Sequence, residues 1–209
     1  MSKLPIACGG ILLAWSLQAG TIYDSTQQIA DGADPIEYAG PFVSSGPLYN
    51  SFSTGATSGT LSNLELLLGA PLVVDGLIAV GLYSDSSTTP GGLIASLGTV
   101  DDSTLTGSYN LVTVILTANP DLSAGTRYWI GLSSDATGAR WDYTTDTSGI
   151  GVAGEYYSNS FGTSPNVDGG GYQMEVEVTS TPEPSTFLFG ASMLATLAML
   201  RRRGARHRS

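Results

Sequence analysis

The chain has 209 residues, 18 of them acidic and 8 basic, with 42% hydrophobic side chains, enough for one domain with a substantial core. Its single cysteine, Cys8, excludes an internal disulfide. Its negative balance excludes nucleic acid as a partner.

The amino terminus has the pattern of an export signal. Lys3 supplies a positive start, Leu4 to Leu17 is apolar, and Leu17-Gln18-Ala19 before Gly20 ends in a small residue suited to cleavage. The expected signal peptide is 1–19, with cleavage after Ala19. Cys8 lies inside the apolar run rather than after it, so it does not read as a lipid-attachment cysteine.

Residues 20–181 are then the mature domain, and its chemistry is narrow. It holds two basic side chains, Arg127 and Arg140, against seventeen carboxylates, a formal charge of −15. It has no cysteine, histidine or lysine, because Cys8, His207 and Lys3 all fall outside it. A Ser-His-Asp or Cys-His site, a histidine- or thiolate-ligated zinc and a Schiff-base lysine are therefore excluded. The mainstream enzyme chemistry left open is a carboxylate pair acting on a glycosidic bond.

In chain order, Gly20 to Gly46 is irregular and reads as an extended entry arm. Leu61 to Leu68 is ambiguous, since Leu66-Leu67-Leu68 breaks alternation while Leu64, Leu66 and Leu68 can share a face. Leu77 to Tyr83, Tyr109 to Thr117 and Thr126 to Ser133 are β-rich. Tyr172 to Val178 alternates cleanly, with Tyr172, Met174, Val176 and Val178 on one face and Gln173, Glu175 and Glu177 on the other. Turn clusters separate these runs at Ser84–Gly92, Asn119–Asp121, Ser134–Gly138 and Asp168–Gly171. No amphipathic helix is expected. The predicted fold is all-β: a single antiparallel β-sandwich, jelly-roll-like, between two terminal signals.

Three groups of side chains are candidates for a site. Among the aromatics, Trp141, Tyr143 and Tyr156 are candidate glycan contacts, because ring faces stack on apolar sugar faces. Trp129 lies opposite Tyr128, Ile130 and Leu132 and reads as core if both faces of its sheet are covered. Among the acids, Asp142 and Asp146 sit in a Thr/Ser/Gly-rich stretch and Asp101 and Asp102 in a turn. With no Asp-x-Asp-x-Asp-Gly loop they read as solvated turn carboxylates rather than calcium ligands. Asp85 and Asp135 read as turn formers. Glu175 and Glu177, two apart on one strand face, stand about 6.8 Å apart, a glycosidase-like separation that any charged strand face shares. No catalytic residue, metal or cofactor is expected.

The carboxyl terminus, 182–209, has three parts. Pro182-Glu183-Pro184 holds the chain extended. An uncharged run follows, and a helix over residues 185–200 would be about 24 Å long at about 1.5 Å per residue, slightly short of a ~30 Å hydrocarbon core. Arg201, Arg202 and Arg203 open a basic tail, 201–209, that belongs on the cytoplasmic side of a membrane.

This terminus resembles the PEP-CTERM sorting signal of Gram-negative bacteria in each of its parts. The resemblance implies recognition of Pro182-Glu183-Pro184 by a membrane-embedded exosortase after export by the Sec machinery. It also implies at least transient anchoring in the inner membrane by the helix, and placement in the cell envelope or at the cell surface. The stretches Gly81–Gly92, Leu122–Leu132 and Thr145–Tyr156, with Tyr172–Met174, resemble the choice-of-anchor R family. That likeness implies one extracytoplasmic β domain and brings no catalytic residues. The expected function is a non-enzymatic surface or biofilm-matrix protein; the alternative is a module that binds exopolysaccharide through surface aromatics.

Overall fold

The computed structural model describes residues 18–180, apart from 37, 41–42, 46, 71–75, 106 and 135–137. Among the described residues the chain forms sixteen strands, one 3₁₀ turn at Asp102–Thr104 and one helical turn, α1 (Asn166–Gly169). The strands are β1 (Gln18–Asp24), β2 (Gly32–Pro35), β3 (Tyr38–Gly40), β4 (Val43–Ser45), β5 (Leu48–Ser53), β6 (Gly59–Gly69), β7 (Leu77–Asp85) and β8 (Pro90–Asp101). They continue with β9 (Asn110–Thr113), β10 (Asp121–Leu122), β11 (Arg127–Ser133), β12 (Arg140–Thr144), β13 (Tyr156–Asn159), β14 (Gly162–Pro165), β15 (Gly171–Tyr172) and β16 (Met174–Ser180).

Two antiparallel sheets carry the fold. The eight-stranded sheet runs β1-β16-β6-β12-β15, with β9 and β10 also on β6 and β2 on β12. The six-stranded sheet runs β14-β13-β5-β11-β7-β8, and β3 and β4 form a separate hairpin.

The apolar face of each sheet meets the other in one core. Leu61, Leu64, Leu66 and Leu68 from β6 and Met174, Val176 and Val178 from β16 are all buried. Opposite them lie Phe52 of β5, Val80 and Leu82 of β7, and Tyr128, Ile130 and Leu132 of β11. Each such side chain contributes about 1.5–3 kcal/mol on leaving water, which is how a fold without disulfides holds. One polar link crosses the core. Asn50 Nδ2 donates to Tyr23 Oη at 2.8 Å, while Asn50 Oδ1 accepts the Tyr172 N–H at 2.9 Å. This amide ties β5 to β1 and β15 and fixes how the two sheets stack.

Leu61 to Leu68 lies in one strand: Leu64, Leu66 and Leu68 share the buried face, Leu67 is an apolar residue on the other face, and a bulge interrupts alternation nearer the start. Val178 pairs with Leu61 and Glu177 with Asn63, so Ser62 is the extra residue. Parity switches there, and Leu61 and Leu64 both point inward although three residues apart. A second bulge, at Ile22 of β1, lies across the same level of β16.

The structure corrects several expectations. Gly20 to Gly46 is not an entry arm: β1 is the edge strand on β16, and β2 pairs with β12. The Ile22 bulge hides β1 from a period-two search, and Gly-Ala-Asp-Pro has too little β-propensity to reveal β2. The Ser84–Gly92 turn is shorter than expected, because β8 starts at Pro90 and only Ser86–Thr89 turns. The Tyr109–Thr117 strand stops at Thr113, where the chain leaves β6 and crosses over. Val114 N–H donates to Leu64 O on one sheet and Thr117 N–H to Leu97 O on the other. Asp168–Gly171 begins in α1 rather than being turn alone.

Among the described residues no helix is long and apolar enough to cross a membrane. The signal peptide up to Leu17, Asp135, Pro182-Glu183-Pro184, the 185–200 segment and Arg201, Arg202 and Arg203 lie outside the described residues.

Candidate functional site

The two sheets present opposite chemistry on their outer faces. Strand register places Ser51 of β5, Trp129 of β11, Tyr83 of β7 and Leu93 of β8 side by side across the six-stranded sheet, pointing away from the core. The next row is Ser158 of β13, Tyr49, Gly131, Gly81 and Ser96. Bulky and small positions therefore lie in adjacent rows.

The glycines let the rings lie low. A Cβ on Gly131 would stand 2.5 Å from the Tyr49 ring and 2.6 Å from that of Tyr83. A Cβ on Gly81 would meet the rings and chains of Tyr83 and Leu93 at 2.9 Å. Tyr49 and Tyr83 meet edge to face, centroids 5.2 Å apart at 85°, an arrangement that aromatic quadrupoles favour. Trp129 is completely buried although it lies outside the inter-sheet cluster. Its Nε1–H donates to Asp85 Oδ1 at 2.8 Å.

A buried ion pair frames the other side of this face. Glu155, 3% exposed, accepts from Arg127 Nε at 3.0 Å and from Ser51 Oγ at 2.6 Å. The Tyr156 N–H in turn donates to Ser51 Oγ, and Arg127 also donates to Gly154 O. The guanidinium lies 4.9 Å from the centre of the Tyr156 ring, a cation–π distance. Each charge has its partner, so burying the pair leaves no bare ion.

The eight-stranded sheet is acidic outside. Glu175 faces Glu65 on one neighbouring strand and Asp24 on the other. Thr21 Oγ1 donates to Glu175, and Thr113 Oγ1 to Glu65. Burial, and then the charges of Asp24, Glu177 and Glu65, push the Glu175 carboxyl above its usual range. Glu177 shares its face, as alternation requires. Among the described residues no three acidic, histidine or cysteine side chains group as a metal site.

The predicted site residues separate. Trp141 is not a glycan contact: it is fully buried, stacked on Tyr172 at 4.8 Å, with its Nε1–H donating to Gln173 O. Strand alternation in Arg140–Thr144 turns Trp141 inward, where β15 supplies the stacking ring. Tyr143 points the same way, half-buried against the core, with its ring over Gly32 and Gly170. Tyr156 alone of the three lies on the outer aromatic face, beside Arg127.

Two acids are not the solvated turn groups expected. Asp102 is completely buried and ties two chain segments, accepting the N–H of Gly76 at 2.9 Å and of Gly138 at 3.2 Å. Asp142 is 4% exposed, and burial lifts its carboxyl to about 6. Asp101 and Asp146 do act as exposed turn groups, accepting the N–H of Ser103 and Ser148, and Ser148 holds the Asp146 carboxyl below its usual range. Asp85 accepts from Thr88 N–H, as a turn former does, besides anchoring Trp129.

Tyr49 and Tyr83 were not singled out from the sequence. The available signal was the pair Gly81 and Gly131, each interrupting a β-rich run at an outward position, where a glycine marks close approach.

No protein family matches this chain, and no curated protein matches it in sequence. The fold and its faces define the class reached here: an all-β protein of two antiparallel sheets around one core.

Proposed function

We propose that this is a non-enzymatic, exported protein that contributes an acidic, jelly-roll-like β-sandwich to the cell surface or biofilm matrix of a Gram-negative bacterium. It is exported by the Sec machinery and sorted through Pro182-Glu183-Pro184, the 185–200 membrane segment and the arginines behind it, with an exosortase as partner.

One observation supports this reading most. β1 and β16 are neighbours, and Gln18 pairs with Ser180. The sheet is thus complete between the two predicted signals. Cleavage after Ala19 would trim two residues from an edge strand, and processing beyond Ser180 would leave every described strand whole. The absence of cysteine, histidine and lysine from residues 20–181 supports the non-enzymatic half.

The test is fractionation of cells that make the full chain, with intact mass of the released form. Pro184→Ala, or replacement of Arg201, Arg202 and Arg203 by alanine, is expected to retain an unprocessed precursor in the inner membrane. Unchanged processing and placement in both variants would sink the sorting reading.

A further inference from the structure

We propose that Asp142, in its protonated form, donates to Gln173 Oε1, and that this one proton latches the Ser25–Asp31 segment onto the outer face of the eight-stranded sheet. The latch is a conformational device of the β domain and does not rest on the sorting reading.

Two buried acceptors meet here with no donor between them. On β12 Trp141 and Tyr143 turn into the core, as Tyr172 of β15 and Met174 of β16 do, so Asp142 and Gln173 both face outward. They are cross-strand neighbours, one step beyond the Tyr143–Tyr172 pair, and the Gln173 N–H donates to Asp142 O at 2.8 Å. Side chains opposed in this way start about 5 Å apart, Cβ to Cβ. A face turned from the core is ordinarily solvated, yet Gln173 has no exposure and Asp142 only 4%. Gln173 Nε2 uses both its N–H groups on the segment, donating to Ser25 O at 2.7 Å and to Gln28 O at 2.9 Å. Its Oε1 is buried without a donor, a rare and destabilising condition. A carboxylic acid beside that oxygen supplies the missing hydrogen, and a carboxylate does not.

The other polar groups around Asp142 are occupied. On its own strand Arg140 is exposed and bonded to Tyr109, the residue before β9. Of the acids on neighbouring elements, Glu175 accepts from Thr21, Glu65 from Thr113, Asp34 from Tyr172 and Asp31 from Thr145. The Gln28 amide oxygen also lacks a donor but is turned to Gly149, where a Cβ would stand 3.1 Å from it.

Burial lifts the Asp142 carboxyl to about 6, so below that pH the proton is present and the bond intact. As pH rises through that value the proton leaves, and two oxygen acceptors face each other. Gln173 then loses its hold on the segment. Ser25 N–H to Met174 O and Asp31 N–H to Tyr143 O still tie its ends, while its middle keeps only the Thr144 Oγ1 bond to Ile29 O. The connection between β1 and β2 loosens.

The test is NMR on the full chain in mild detergent, titrated from pH 5 to pH 8 across the Asp142 value. The side-chain amide signals of Gln173 are expected to shift with the same midpoint as the Asp142 carboxyl, about 6. Amide hydrogen exchange at Ser25–Asp31, divided by the intrinsic rate at each pH, is expected to quicken about tenfold or more over that range, while Arg127–Ser133 stays unchanged. Asp142→Asn carries an amide that donates at every pH, so it is expected to keep the segment protected throughout. Gln173 signals indifferent to the Asp142 titration overturn the proposal, as does exchange at Ser25–Asp31 that stays flat with pH. Quickening that persists in Asp142→Asn assigns the change to another group and overturns it too. The first two readouts use the unaltered protein, so they decide the question even if the variant fails to fold.

Discussion

Asp142 shows how far one buried carboxyl can bias the stability of this domain. Its ordinary value near 3.8 is lifted to about 6 by burial, so the folded state favours the protonated form. Its ionisation therefore opposes folding: stability is unaffected below about pH 4, falls as pH rises towards 6, and stays reduced above that. A shift of this size corresponds to about 2–3 kcal/mol at about 1.36 kcal/mol per unit. Asp142→Asn removes the charge and keeps the shape, so it is expected to raise the urea-unfolding free energy by about 2 kcal/mol at pH 8 and to leave it unchanged at pH 4. An equal effect at both pH values would show that lost contacts rather than ionisation are being measured. In the sequence Asp142 sits with Asp146 in a Thr/Ser/Gly-rich stretch, a composition that points to exposure. What decides its environment is pairing of β12 with β2, β6 and β15, which no local pattern encodes. The same neighbours bury Trp141, and the buried Asp102 follows from contacts with Gly76 and Gly138, far away in sequence.

Strands with no extra residue of their own keep their alternation and were legible, even where the partner strand bulges, and those that carry the extra residue were not. β16 could be assigned face by face from Met174 to Val178, and β7 and β11 as β-rich runs. Tyr172 instead belongs to β15, and Gln173, expected on the polar face, is fully buried with its amide donating to Ser25 O and Gln28 O. β1 and the start of β6 carry bulges that shift parity, and β8 opens with Pro-Gly-Gly, which reads as a breaker. The β7–β8 connection is stranger still. Ser87 and Thr88 both hold positive φ, 54° and 71°, between reciprocal bonds of Ser86 and Thr89. That is the two-residue hairpin geometry that favours Asn-Gly, and a β-branched threonine is strained in it. The double change Ser87→Asn, Thr88→Gly is expected to stabilise the fold by about 1 kcal/mol, the relieved strain exceeding glycine's added freedom in the unfolded chain. A urea titration at pH 7 checks this. A lower midpoint would mean that glycine's added freedom in the unfolded chain outweighs the strain relieved at Thr88, whose backbone N–H bond to Asp85 the change keeps.

Across the whole molecule, charge is segregated between the two sheets. The aromatic face keeps its arginine and glutamate paired, whereas the eight-stranded face aligns Asp24, Glu175 and Glu65 on three neighbouring strands, with Glu177 beside Glu175. Neither arrangement could be read from composition, because the formal charge of −15 says how much repulsion exists and not where it falls. Register places it on β1, β16 and β6. Screening should then stabilise the protein: exposed like charges a strand apart repel within one Debye length, about 10 Å at 0.1 M salt and about 3 Å at 1 M. Raising NaCl from 0.05 to 1 M at pH 7 is expected to lift the melting temperature by several degrees. Glu175→Gln should give part of that gain at 0.05 M and much less at 1 M, because its neighbours are then already screened. The pH response follows from the raised Glu175 carboxyl. As with Asp142, the stability lost on ionisation is intact at low pH, so Glu175→Gln should do nothing near pH 3 and help at pH 7. Calorimetry over the four combinations of salt and pH separates the two origins. A gain at pH 7 that salt leaves unchanged would assign it to relief of burial at Glu175. A gain that salt erases would assign it to the acidic row.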